Sequence, residues 1–375
     1  MKYKNLERQE YELTCISPIH IGNGEILKPI DYVYDKRNQQ IFFLNEGKWK
    51  AYLVQHQLLD EFFDYLQRTK LRGNLFTWLQ SHDVTLQEVK SLSATISQVE
   101  TTNSQTTKES VNDIHRLMTT SLGVPYIPGS SLKGCLRTGL LSYWLKQHPN
   151  KISRHWQEAQ DCKPRDKWAA KYLERDSFIC LQTKAKSDMV KSCMRGLSVS
   201  DAACVNSSVH TVVLQKVDAT TQQNKQGQKE KHLPLFRECI PAGTKLRFSI
   251  TFDQAMMGAL GITSLRDVIK ASRDFTKRTL AMQKRVFGRD YKNEFAEAEL
   301  ADMILGGGTG FQSKTVFYDL APSVEEGRNV LSNKLNMAFR KHKHYLDKQI
   351  SPRTLKLTRT TSDRWIMGLC SLKEV

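Results

Sequence analysis

The segment Val124-Pro-Tyr-Ile-Pro-Gly-Ser-Ser-Leu-Lys-Gly-Cys-Leu-Arg-Thr-Gly-Leu-Leu141 constrains this chain most, because it dictates an extended run, one turn and a helix in fixed order. Val124 to Ile127 reads as extended, and Pro128-Gly129 turns the chain. Ser130 or Ser131 is expected to cap the helix, whose first N–H groups then face outward. Leu132, Leu136 and Leu140 step by four and form an apolar stripe, while Lys133 and Arg137 share another face. A helix N-terminus beside two cations suits an anion, although on spacing alone an amphipathic helix with solvated Lys and Arg is the commoner case. Gly134 and Gly139 each cost about 1 kcal/mol against Ala inside a helix, a loss that close approach by another backbone would offset.

From Ile127 to Arg137 the segment matches, unbroken, the Ile-Pro-Gly-Ser-Ser-x-Lys-Gly-x-x-Arg signature, and so resembles the RAMP superfamily, RNA-binding subunits of CRISPR effector complexes. Leu13-Thr-Cys-Ile-Ser-Pro-Ile-His-Ile-Gly-Asn-Gly24 is similar to the first strand and turn of those proteins. Gly306-Gly-Gly-Thr-Gly-Phe-Gln-Ser-Lys-Thr-Val316 is similar to their glycine-rich loop. Within the superfamily, this order on a chain of this length is most similar to the fifth-subunit family of type III-A Csm complexes, which caps the 3' side of a crRNA-bound filament.

Composition points the same way independently. Lys and Arg number 56 against 39 acidic residues, a net charge of +17, which favours a polyanionic partner. No stretch is long or apolar enough to span a membrane, and the start, Met1-Lys-Tyr-Lys-Asn-Leu-Glu-Arg8, lacks a signal-peptide core, so a cytoplasmic protein is expected. Eight scattered cysteines without a Cys-x-x-Cys pair suggest reduced, mostly buried thiols rather than a disulfide framework or zinc site.

Tyr11, Leu13 and Cys15 alternate with Glu12 and Thr14 as a half-buried strand would. Further strands are expected at Ile30 to Tyr34 and Ile41 to Leu44, then a helical region from about Trp49 to Val99 and a polar linker at Thr101 to Ser110. Lys146 to Lys191, with Trp156, Trp168 and Tyr172, reads as a helical insertion. A strand at Gly196 to Ser200 opens the second half. Lys216 to His232 is nearly devoid of apolar residues and reads as a mobile basic loop. Leu246, Phe248, Ile250 and Phe252 alternate most clearly, and helical periodicity runs from Ser264 to about Leu305. The expected class is α+β with helical and loop insertions. The resemblance, not the periodicity, implies two ferredoxin-like (RRM-like) domains: 1–145 with a helical insertion at about 49–110, and 193–375, separated by the insertion 146–192.

Gly308-Thr-Gly-Phe-Gln-Ser-Lys-Thr315 is one residue from a nucleotide-hydrolase phosphate loop, with Ser313 in place of the second glycine. A helix is expected before it and β-structure after it, the wrong context for nucleotide hydrolysis. Its glycines let backbone N–H groups approach phosphate, Lys314 adds charge, and Phe311 either stacks on a base or packs in the core. His20 either serves as a general base on a ribose hydroxyl or, between Ile19 and Ile21, is structural at a strand end. His115-Arg116 precedes the signature closely enough to contact RNA. His342 and His344 lie in a basic run without a third metal ligand, and Asp31, Asp35 and Asp201 are isolated carboxylates.

The resemblance implies a noncatalytic subunit holding the 3' part of the crRNA, needed for assembly and 3' maturation in antiviral defence. Implied partners are crRNA, target RNA through the guide, the third (backbone) and second (small) Csm subunits, and host nucleases for 3' trimming, with no cofactor, metal or membrane. The expected RNA-facing residues are His20, Arg116, Ser130, Ser131, Lys133, Arg137, Gly306, Gly307, Gly308, Gly310, Phe311 and Lys314. The alternative is a metal-independent crRNA-processing endonuclease with His20 as base.

Overall fold

A computed structural model describes residues 5–100, 111–163, 171–184, 186–206, 209–223, 227–360 and 362–375. The expected linker at 101–110 and Trp168 lie outside them. The chain begins with β1 (Leu6–Cys15), β2 (Gly22–Leu27), β3 (Tyr32–Asp35) and β4 (Gln40–Leu44). Short helices α1 (Glu46–Gln55), α2 (Leu59–Arg68), α3 (Leu75–Gln80) and α4 (Leu86–Leu92) lead to β5 (Ser93–Glu100), β6 (Asp113–Leu117) and β7 (Tyr126–Ile127). The signature helix is α5 (Gly129–Gln147), followed by α6 (Pro149–Asp161), α7 (Lys171–Phe178) and α8 (Asp188–Lys191). Next come β8 (Leu197–Val199), β9 (Ala202–Cys204), β10 (Val212–Ala219), β11 (Glu230–Cys239) and β12 (Lys245–Asp253). The rest comprises α9 (Gln254–Met257), α10 (Leu265–Phe287), α11 (Lys292–Ala298), β13 (Met303–Ile304), α12 (Phe317–Leu320), α13 (Val324–Ala338), β14 (Leu355–Arg359), β15 (Arg364–Ile366) and β16 (Leu369–Glu374).

The class is α+β, as expected, and its two sheets with their helices are consistent with two ferredoxin-like units. One sheet has the order β13-β16-β1-β12-β9-β7, with β8 also on β12. The other runs β2-β6-β11-β10-β5-β4-β3, with β14 on β10 and β15 on β14. In the first, β1 lies between β12 and β16, so the two ends of the chain share one sheet. Tyr11, Leu13 and Cys15 bury the inner face of β1 in a core shared with Leu132, Leu136 and Leu140 of α5 and Val268 and Phe275 of α10. The apolar stripe of α5 therefore does what its spacing predicts. Gly139 lets α10 come close: a Cβ there would stand 2.7 Å from the Ser272 Cα, whereas Gly134 faces open space.

Four expectations shift. The helical region ends at Leu92, and Ser93–Glu100 is strand β5, whose pattern is masked because the inward Ser97 is polar and bonds to Thr211 and Glu238. The basic loop shrinks. Val217 and Ala219 are buried in β10, and Val217 pairs with His232, Asp218 with Lys231 and Ala219 with Glu230 on β11. Alternation of period two survives there with only two apolar residues, which composition conceals. The long helix from Ser264 stops at Phe287, and α11 and the short β13 precede the glycines. A 3-10 turn and helices α12 and α13, rather than β-structure, follow them.

All eight cysteines are free thiols; Cys15, Cys193, Cys239 and Cys370 are buried and the other four half-buried. Among the described residues, no helix is long and apolar enough to cross a membrane.

Candidate nucleic-acid interface

The signature helix does not begin as its serines suggest. Pro128 is the N-cap without a side-chain hydrogen bond, and the Gly129 N–H donates to Asp201 Oδ1 at 2.7 Å. Ser130 and Ser131 thus sit in the first turn rather than at the cap, and the Ser131 N–H donates to the Pro128 carbonyl. Gly129 is required because a Cβ would overlap the Val199 carbonyl, the approach that brings Asp201 to the helix end. Asp201, read from sequence as isolated, is the anion already held by this N-terminus.

The two cations of the helix differ. Arg137 pairs with Glu174 at 2.7 Å and lies over the Phe178 ring at 4.9 Å, so its charge is matched within the protein. Lys133 is half-buried with no carboxylate in ion-pair range among the described residues, and burial holds its ammonium below the usual lysine range.

The Leu13–Gly24 segment and the glycine loop meet directly. The Gly307 N–H donates to the His20 carbonyl at 2.7 Å, and a Cβ on Gly306 would overlap that same oxygen. Gly306, Gly308 and Gly310 have φ of +85°, +83° and +91°, a region costly for any side chain, so the loop's shape needs its glycines. Cys135 of the signature helix donates to the Ile304 carbonyl at 3.5 Å, tying that helix to the strand before the loop. Three motifs far apart in sequence converge here. Phe311 is half-buried, its ring 6.3 Å from that of Phe317, and Ser313 bonds back to Thr309 and Gly310 to close the loop.

Beneath the loop lies a residue that sequence reading missed. Arg237 of β11 is placed by parallel pairing with His115 of β6, and its guanidinium faces Gly308, where a Cβ would stand 3.3 Å from Nη1. Arg237 is half-buried, and burial lowers its affinity for a proton against the favourable charge of Asp218; Lys314 is exposed, and desolvation of its inner part, followed by the charge of Arg237, lowers its own. No carboxylate lies within ion-pair range of either among the described residues. Lys356, against Gly310, is instead neutralised by Asp218 at 2.9 Å. No motif marks Arg237; the only sequence signal is a cation beside the apolar Phe236 in a strand.

His20 and Arg116 are both held by partners inside the protein. His20 is 5% exposed and its Nδ1 bonds the Glu238 carbonyl at 2.7 Å. Burial, with smaller contributions from Arg237, His115 and Lys314, pushes its pKa down to about 4 against the opposing effect of that hydrogen bond. Arg116 contacts the buried Glu238 carboxylate at 3.1 Å and stacks its guanidinium 3.6 Å from the Phe43 centroid.

A depressed histidine pKa makes the neutral form the folded one. Its contribution is therefore complete above the unfolded value near 6.5 and is lost as pH falls from there toward 4. The shift is worth about 3 kcal/mol in total. His20→Asn, which keeps a donor for the Glu238 carbonyl, is expected to flatten that part of the acid limb in urea denaturation at stepped pH. Parallel acid limbs in the two proteins would contradict a neutral, buried His20.

A family model of the RAMP superfamily matches residues 12–313. The CRISPR system Cms protein Csm5 of Streptococcus thermophilus is 28% identical, with 81% of this chain and 79% of that protein covered. The protein of the same name from Mycobacterium tuberculosis (strain ATCC 25618 / H37Rv) is 23% identical, with coverages of 97% and 96%. Among solved structures, a chain of the cryo-EM Csm-crRNA-target RNA ternary complex of a type III-A CRISPR-Cas system superposes with a TM-score of 0.70 at 19% identity, covering 97% of this chain and 100% of that one. The crystal structure of T.onnurineus Csm5 gives 0.59 at 17%, covering 96% and 99%. At these identities the two structures establish the fold. Since the family match runs from β1 through the signature helix and into the glycine loop, the chain belongs to the RAMP superfamily.

Proposed function

We propose that this chain is a noncatalytic crRNA-binding subunit that caps the 3' side of a type III-A Csm interference complex in the cytoplasm. In this reading it supports assembly and 3' maturation of the crRNA, contacts the third and second subunits, meets target RNA only through the guide, and adjoins the host nucleases that trim the 3' end. The carrying observation is the pair Arg237 and Lys314: a half-buried guanidinium and an exposed ammonium, neither in ion-pair range of a carboxylate among the described residues, converging on the glycine loop. A half-buried guanidinium outside any ion pair is costly in a folded protein unless an anion meets it, and a phosphate at the loop, reached also by Lys314, would do so. The Csm5 names of the relatives and the net charge of +17 support the same reading. Contacts to phosphate carry no base identity, as a protein serving many guides requires.

The endonuclease alternative needs His20 to exchange a proton with a ribose hydroxyl near neutral pH. Burial, the bond to Glu238 and a pKa of about 4 argue against that role.

Fluorescence polarisation with single-stranded RNA between 50 and 500 mM salt tests the proposal. With Arg237, Lys314 and Lys133 each meeting a phosphate, log affinity should fall against log salt with a slope of about −2 or steeper, equally for unrelated sequences. A flat titration would refute phosphate tracking, and metal-independent cutting of repeat RNA would refute the noncatalytic assignment.

A further inference from the structure

Beside the glycine loop a cleft of about 410 Å³ opens between α5, the helical insertion and α13. Phe311, Phe317 and Phe339 contribute rings to its walls, Leu173, Val316 and Leu335 contribute aliphatic surface, and Lys314 stands among its lining residues. Its volume falls within the range of small-ligand sites. The carboxylates that reach it are already matched: Glu174 pairs with Arg137, and Glu158 with Arg154 and His155. The lining is largely apolar, and its charged members are the cations Arg137, Lys163, Lys314 and Lys334 beside the carboxylates Glu158 and Glu174, a surface suited to a flat aromatic group carried on a polyanionic backbone. Phe311 and Lys314 belong at once to the glycine loop and to this cleft.

We propose that the cleft receives one unpaired nucleobase of the RNA whose backbone crosses the glycine loop. This rests on the phosphate-binding reading above. Arg237 and Lys314 hold the backbone at the loop, and the adjoining base turns away from solvent to stack against the phenylalanines. Stacking accepts any base, because each has an aromatic face, so the cleft fixes the register of the RNA without reading its sequence. The shared residues favour RNA over a protein side chain: an apolar segment from a partner would have to bury Lys314 without neutralising it.

The test uses the full chain and single-stranded RNAs carrying 2-aminopurine at successive positions. One position is expected to show quenched fluorescence, relieved by Phe311→Leu, which keeps bulk but removes the ring, and by Leu335→Trp, which fills the cleft. An abasic site at that position should weaken binding roughly tenfold, the size of one base-stacking contribution. Thermal melts identify a variant that has unfolded, and Phe311→Leu, the milder change, then decides. Unchanged quenching in folded Phe311→Leu, with binding still sensitive to Arg237→Gln, would overturn the base cleft and leave the phosphate site standing. Absence of RNA binding by the unaltered chain would overturn both. RNA binding unaffected by Leu335→Trp, together with lost association with another protein subunit, would also overturn the proposal by assigning the cleft to protein.

Discussion

Glu238→Ala is expected to destabilise the fold by about 3–5 kcal/mol, the usual cost of leaving one member of a buried ion pair without its partner. Glu238 is 1% exposed and is a junction for several strands. Its carboxylate faces Arg116, accepts the Leu117 N–H at 3.1 Å and the Thr211 hydroxyl at 2.7 Å, and lies 3.3 Å from the Ser97 hydroxyl. Alanine would strand a guanidinium that is only 12% exposed and remove the acceptor of two or three donors at once. Urea denaturation of the single variant beside Glu238→Leu/Arg116→Met separates the causes. The double variant should recover much of the loss, because replacing both charges removes the uncompensated ion. A single-variant loss below about 1 kcal/mol would mean that water reaches Arg116 and that the junction is not dry.

The position of Glu238 explains which parts of this molecule could be read from the chain. Segments whose inward positions are apolar were legible: β1 with Tyr11, Leu13 and Cys15, β12 with Leu246, Phe248, Ile250 and Phe252, and α5 with its leucines are where alternation and four-residue spacing put them. Strands whose inward positions are polar were not. Ser97 faces inward because Thr211 and Glu238 await it, a long-range fact that no local window contains. The Asp218–Lys231 register pair and the Lys356–Asp218 contact likewise sustain strand pairing where composition suggests an unstructured loop.

The site was legible to the level of its motifs and no further. His20, the glycine loop and the signature helix do converge, yet spacing could not distinguish a cation facing a ligand from one facing a carboxylate. Arg137 finds Glu174, Arg116 finds Glu238, and the helix end finds Asp201, all partners more than 30 residues away. Arg237 carries the opposite lesson. It lies in no motif, and only the parallel pairing of β6 with β11 brings it under Gly308.

The largest expected functional effect follows from that arrangement. Arg237→Gln and Lys314→Gln should each weaken single-stranded RNA binding about tenfold to a hundredfold, since a charge-assisted hydrogen bond contributes about 1.5–3 kcal/mol. The losses in the double variant should fall short of additive, because the charge of Arg237 disfavours the charged form of Lys314 and its removal relieves that. Each substitution should also reduce the salt slope by about 0.7, the signature of one lost phosphate contact on a single strand. Folding should respond in the opposite direction. Taking a half-buried guanidinium outside any ion pair among the described residues out of β11 relieves its desolvation, so Arg237→Gln should melt at or above the temperature of the unaltered chain when no RNA is present, and Lys314→Gln, at an exposed position, should leave that temperature unchanged. Higher stability joined to weaker binding is the pattern of a charge kept for its ligand. Weaker binding joined to a marked fall in melting temperature would instead make Arg237 a structural residue, and the phosphate site would have to be sought along the exposed half of α5 around Lys133.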